Sequence, residues 1–174
     1  MQIVRPLNPS RRLTWTLGEI PEGREGTIAT LRIMRSYVRQ GKTLPDVRLK
    51  AVALTSGLAQ KDYSGQIRRL HAFVRDQIRY LRDITDVETL QTPDVTLALA
   101  AGDCDDKSIL LAALLESIGH PTRFVAIGPS HENFVHVYVE TLVGRDYWLP
   151  LETTEPVECG DGPRGFPARL YIYN

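Results

Sequence analysis

Three residues stand out for the chemistry they could do together: Cys104, His136 and Glu152. A thiol becomes a useful nucleophile when its thiolate is stabilised, and the first turn of a helix does this with unpaired N–H groups and the positive end of its dipole. Cys104 falls there, heading the run CDDKSILLAALLESIG. Gly102 just before it lets backbone approach closely, and the N–H of Cys104 is placed to help bind an oxyanion. Asp105 and Asp106 favour a helix start but oppose a neighbouring thiolate, so a cationic partner is needed. His136 can supply it. In FVHVYVE the alternation puts Val135, Val137 and Val139 on a core-facing side and Phe134, His136, Tyr138 and Glu140 on the other. The imidazole needs a third group to hold its tautomer, and Glu152, one hairpin further on and sharing a face with Trp148 and Pro150, can do so. With Asp105 and Asp106 turned toward solvent, the cation is expected to win. Cys104 should then titrate in the ~3.5–7.5 range of activated thiols, below the ~8.5 of a free one.

The rival assignments are weaker. His131 is a second candidate base, but it sits in the turn GPSHENF. Asp103, Asp105 and Asp106 with Cys104 and His136 offer hard and soft metal donors, yet neither C-x₂-C nor H-x₃-H, pairs common in zinc sites, occurs in the sequence. Acidic residues at a helix start more simply cap it, so no metal is expected. The glycines of CGDGPRG read as a turn rather than a phosphate cradle, since no Lys-Ser/Thr pair follows them. Cys159 beside that turn is expected to be inert, and no organic cofactor is called for.

Helices and strands must position these residues. RLTWTLGEI alternates Leu13, Trp15 and Leu17 against threonines, the period of a strand with one buried face. From Thr27 to Gln40, Ile28, Leu31, Met34 and Val38 recur at helical spacing, with Gly41 at the end. A second helix follows Pro45, with Val47, Ala51 and Leu54 inward and Gly57 near its end. A third is expected from Ser64 to Leu81 on the stripe Ile67, Leu70, Val74, Ile78 and Leu81, with His71 beside it as a packing or capping residue. A loop with turn signals comes next. The Cys104 run is apolar on most faces and so predicts a helix buried on nearly every side, capped by Asp103 and ended by Gly119 and Pro121. TRFVAIG, FVHVYVE, DYWLPLE and ARLYIY then turn to strand periods. Helices first and an antiparallel sheet afterwards is the α+β pattern, here with the Cys-bearing helix packed on the sheet.

Composition bounds the rest. The chain of 174 residues with 43 % hydrophobic content can build one sizeable core, so a single domain over residues 1–174 is expected. Basic and acidic side chains balance at 21 each, which gives no argument for nucleic acid or an anionic membrane. Basic residues gather in the first half and acidic ones in the second, as in two halves of a fold that attract each other. No window approaches the about 18 uninterrupted apolar residues of a membrane helix, and the N-terminus lacks a signal-peptide run. A cytoplasmic, reduced setting is expected, and two cysteines do not make a disulfide scaffold.

GDCDDKSILLAALLESIGHPTRFVAIG, FVHVYVE and YWLPLETT together resemble the core of the transglutaminase-like superfamily, papain-related, over residues 91–154. IRYLRD and LQTPDVTLALAAGDCDD look like its bacterial and phage members. The resemblance implies a papain-like α+β fold, with Cys104 on the nucleophile, His136 on the base and Glu152 where the family usually carries Asp. Gln91 and Tyr80 are then candidates for a second oxyanion donor. It further implies acyl transfer or hydrolysis at amide bonds of a protein or peptide substrate. The alternative it leaves is a binding or assembly module with a vestigial site, such as a phage virion component, working with a protein partner.

Overall fold

The structure, a computed structural model, describes residues 20–82 and 89–174 in full and residues 2–5 and 14–17 as backbone. Gln2–Arg5 (β1) and Thr14–Leu17 (β2) pair antiparallel, with Gln2 opposite Leu17. The opening strand is thus present, while the buried face expected of Leu13, Trp15 and Leu17 lies outside the described side chains. Gly23–Gly41 (α1) buries Leu31, Met34 and Val38, three residues of its expected stripe. Pro45–Thr55 (α2) opens on its proline and buries Val47 and Ala51.

Tyr63–Gln77 (α3) is capped by Asp62, whose side chain accepts from the Gly65 N–H at 2.8 Å. Asp62→Ala leaves that donor without its partner and is expected to cost about 1 kcal/mol in urea unfolding. An unchanged midpoint would show that the cap contributes nothing. The helix stops short of Leu81 because Ile78 is already extended (φ −101°, ψ 107°). The chain instead forms Arg79–Tyr80 (β3), which pairs in parallel with Ala101–Gly102 (β4), Tyr80 opposite Gly102, and Leu81 is left exposed. Between them lies Pro93–Leu99 (α4), a helix too short to announce itself by periodicity, with Pro93 at its start and Asp94 in its first turn.

Cys104–Ser117 (α5) is the central element. Every residue from Asp105 to Leu115 is buried, as its apolar run requires, and it packs against α1 to α4. Ile109, Leu110, Leu111, Leu114 and Leu115 have no exposed surface, and each such side chain stabilises the fold by about 1.5–3 kcal/mol relative to leaving it in water. The odd member of that core is Lys107, 2 % exposed, whose ammonium donates to the carbonyls of Ile78 (2.8 Å) and Arg75 (3.3 Å). It thereby satisfies carbonyls at the end of α3, the negative pole of that helix.

The other side of α5 meets a four-stranded antiparallel sheet of Thr122–Gly128 (β5), His136–Val143 (β6), Tyr147–Leu151 (β7) and Ala168–Tyr173 (β8), in the order β7-β6-β5-β8. The fold is α+β with the Cys-bearing helix on the sheet. Val137 and Val139 join the core, but Val135 does not, being 55 % exposed. β6 begins one residue after it. The β5–β6 turn folds back over Gly128, where a Cβ would stand 1.9 Å from the Asn133 carbonyl oxygen, and Val135 still donates its N–H to the Ile127 carbonyl at 2.9 Å, so that it and His136 both lie opposite Ile127.

The opposite face of the sheet is also covered. Arg123 donates to Glu140 (Nε 2.8 Å, Nη2 2.5 Å) among the rings of Trp148, Tyr171 and Tyr173. Arg169 donates to the Tyr138 hydroxyl at 2.8 Å, which in turn donates to Glu140 at 3.0 Å. Strand periodicity alone would have left Tyr138 and Glu140 in water; both are buried.

Candidate active site

Asp103 caps α5 as its type predicts: its Oδ1 accepts from the N–H groups of Asp105 (3.0 Å) and Asp106 (3.1 Å). That fixes Cys104 as the first residue of the helix. Gly102 is needed because a Cβ there would lie 2.5 Å from that of Asp106. The parallel bridge of β3 to β4 then brings Tyr80 alongside the approach to Cys104.

His136 opens β6, and Glu152 directly follows β7, in which Leu151 pairs with Val139. This register carries Glu152 back to the start of β6, where its Oε2 lies 2.6 Å from Nε2 of His136. Its Oε1 accepts from both the N–H and the hydroxyl of Thr154, each at 2.6 Å. Glu152 is only 2 % exposed. Burial raises its pKa, but the hydrogen bonds from His136 and Thr154 and the His136 charge outweigh it, and the carboxyl falls to about 2. An ionised carboxylate only accepts, so Nε2 of His136 carries the proton of that bond, and in the neutral imidazole Nδ1 is the acceptor nitrogen.

Cys104 and His136 line one cavity of about 320 Å³, walled by the start of α1 and by Glu132 to Val135 of the β5–β6 turn. A second cavity, of about 440 Å³, is lined by Tyr80, Arg82, Glu152, Thr154 and Phe166 among others. His136 and Val135 belong to both. Of the two candidate oxyanion donors, Tyr80 faces this second cavity, and burial above all raises the pKa of its phenol. The Gln91 side chain instead accepts from the Thr96 hydroxyl at 3.5 Å, and the main-chain N–H of Gln91 donates to Asp106 at 2.7 Å.

The electrostatics of the thiol correct the expectation drawn from the sequence. Asp105 and Asp106 do not point into solvent; they are 9 % and 1 % exposed. The Asp105 Oδ1 lies 3.7 Å from the Cys104 sulfur. Burial pushes the Cys104 thiol well above its usual value, and the carboxylates of Asp105 and Asp103 push it further, against a smaller opposing effect from a backbone hydrogen bond with Val137. Cys104 therefore rests as the neutral thiol, and any chemistry must deprotonate it during attack.

The remaining candidates separate cleanly. His131 is exposed in its turn, and Cys159 is a half-buried free thiol raised by burial. Among the described residues no three His, Cys, Asp or Glu side chains are grouped to hold a metal ion. His71 and Lys107 are buried polar groups beside the site whose importance periodicity did not signal. A Lys within an otherwise apolar helix was the available signal for the second.

The pattern of the transglutaminase-like superfamily matches residues 50–153, and the chain belongs to that superfamily. Similar solved structures include a candidate protease from Parabacteroides distasonis (TM-score 0.55, 16 % identity, 76 % of this chain and 28 % of that one). A candidate cysteine protease from Cytophaga hutchinsonii superposes with TM-score 0.51 at 14 % identity, over 74 % of this chain and 50 % of that one. Legionella pneumophila LapG gives 0.50 at 18 % identity, over 79 % and 76 %. At these identities the likeness is one of fold, and the chain spans half or less of the first two proteins. No curated protein matches. Among the described residues no helix is long and apolar enough to cross a membrane.

Proposed function

We propose that the chain is a cysteine-dependent acyltransferase or hydrolase acting on amide bonds of a protein or peptide, with Cys104 as nucleophile, His136 as general base and Glu152 as the residue that orients it. The observation that carries this reading is the 2.6 Å bond between His136 and Glu152, made by an imidazole that lines the same cavity as Cys104. As the Cys104 sulfur attacks the carbonyl carbon, Nδ1 of His136 takes the thiol proton and the carbonyl π electrons move to oxygen. The N–H of Cys104 and the Tyr80 hydroxyl are candidates to hold that oxyanion. His136 then protonates the leaving amine as the C–N bond breaks, and water or a second amine, deprotonated by His136, releases the thioester. Glu152 accepts the hydrogen bond from Nε2–H throughout and steadies the transient imidazolium.

A second reading has one observation in its favour. Burial and two carboxylates hold the thiol neutral, as a site retained without chemistry would allow. In that reading the fold serves as an assembly or binding module, such as a phage virion component. A peptidyl vinyl sulfone separates the two, because addition of the thiol needs His136 to carry the proton from sulfur to the carbon that accepts it. Labelling assigned by mass spectrometry is expected at Cys104 in the wild type and absent in His136→Ala, with Cys159 as internal control. Labelling of Cys104 no faster than Cys159, and unaltered by His136→Ala, would make the module reading the correct one.

A further inference from the structure

We infer that His71 is a positioning residue of this site: from the last turns of α3 it holds the main chain of Glu152, and so fixes where the carboxylate stands against His136. The inference rests on the functional reading above, in which Glu152 orients His136. His71 lies 1 % exposed, and its Nε2 is 2.5 Å from the Glu152 carbonyl oxygen. A carbonyl only accepts, so Nε2 of His71 carries the donated proton.

Packing alone does not call for this residue. A leucine or phenylalanine at position 71 would fill space beside Leu70 and Val74 without bringing a polar ring into the core. The carbonyl does need a donor. β7 ends at Leu151, so the sheet ladder no longer serves the next residue, and the main chain at Glu152 is buried. His71 holds this end of the residue while Thr154 and His136 hold the carboxylate. Both ends of Glu152 are thereby tied down.

The same stretch of α3 also reaches the residues on either side. One turn on, Arg75 donates to the Val157 carbonyl at 2.7 Å, holding the segment that continues from Glu152. At the end of the helix, Lys107 of α5 binds the carbonyls of Arg75 and Ile78, one turn beyond Cys104. The end of α3 is thus a common bracket for the helix that carries the thiol and the segment that carries the carboxylate. A main-chain shift of about 1 Å at Glu152 would open its short bond to His136, and such small misplacements are costly in active sites.

The test compares His71→Phe, which keeps a ring but no donor, with His71→Gln, which keeps an N–H. The first readout is the exchange of the His136 Nε2 proton by NMR; the second is the rate of Cys104 labelling by the vinyl sulfone, each referred to folded protein. Loss of one hydrogen bond worth about 1 kcal/mol is expected to speed the exchange and slow the labelling by about fivefold in His71→Phe. His71→Gln should restore most of both, and His71→Phe should add little to Glu152→Gln. If His71→Phe does not fold, His71→Asn, polar but too short to reach, takes its place with the same expected outcome. A lowered melting temperature with exchange and labelling unchanged, or a Gln variant as impaired as Phe, overturns the inference. Absence of labelling in the wild type would instead count against the functional reading, and the proton-exchange arm would still decide the role of His71.

Discussion

Glu152→Gln is expected to remove the steepest part of the acid limb of the stability curve. The Glu152 carboxyl falls from an ordinary 4.5 to about 2 in the folded protein, against an opposing cost of burial. A carboxyl depressed by folding contributes stability that is complete above its unfolded pKa and is lost as pH falls toward the folded one. The window is therefore about pH 4.5 down to about pH 2. At about 1.4 kcal/mol for each pH unit, the wild type should lose about 3 kcal/mol across it that the Gln variant does not. Urea unfolding of both proteins between pH 7 and pH 2 measures the difference. Parallel curves would mean that the His136 and Thr154 bonds do not hold the carboxylate as the geometry implies.

Asp105→Asn is expected to accelerate alkylation of Cys104 by iodoacetamide at pH 7.5 by about tenfold. The Asp105 carboxylate, 3.7 Å from the sulfur, disfavours the thiolate, so removing its charge raises the thiolate fraction at a given pH. A thiolate of lower basicity is also a weaker nucleophile, with a Brønsted slope of about 0.4–0.5, so about half of that gain survives in the rate. Asn keeps the shape of Asp105, and the cap on α5 is provided by Asp103, so the helix start should be undisturbed. The pH at which alkylation levels off should fall as the rate rises. An unchanged or slower rate would show that the neutral thiol owes nothing to Asp105 and is set by burial and Asp103.

Period and residue type made the main elements legible in the sequence. The all-round apolar run after Asp103 could only be a buried helix, and the alternation of FVHVYVE could only be a strand. The next hairpin then returns Glu152 to His136. The features that were not legible depend on partners remote in the chain. β3 and β4 are two residues each and exist only because they find one another across α4. Val135 fits the valine face by count, yet it bonds to the same Ile127 that pairs with His136, and its side chain is left exposed. Asp105 and Asp106 look like a wet first turn, but the short segments before α5 cover them, and Gln91 donates to Asp106. Lys107 and His71 are buried for the sake of carbonyls at the end of α3 and at Glu152, and no local pattern encodes those.

The turn between β5 and β6 separates two properties that are coupled in most strands. Register is held outside it, by the pairing of Ile127 with His136 and by the lack of room for a side chain at Gly128. The wall of the thiol cavity is built inside it, from Glu132 to Val135, of which all but the half-buried Phe134 are exposed. Substitutions at Glu132 and Asn133 can therefore recut the cavity while His136 keeps its place opposite Ile127. Recognition and positioning can drift independently here, so homologues sharing the same three side chains could diverge widely in what they admit.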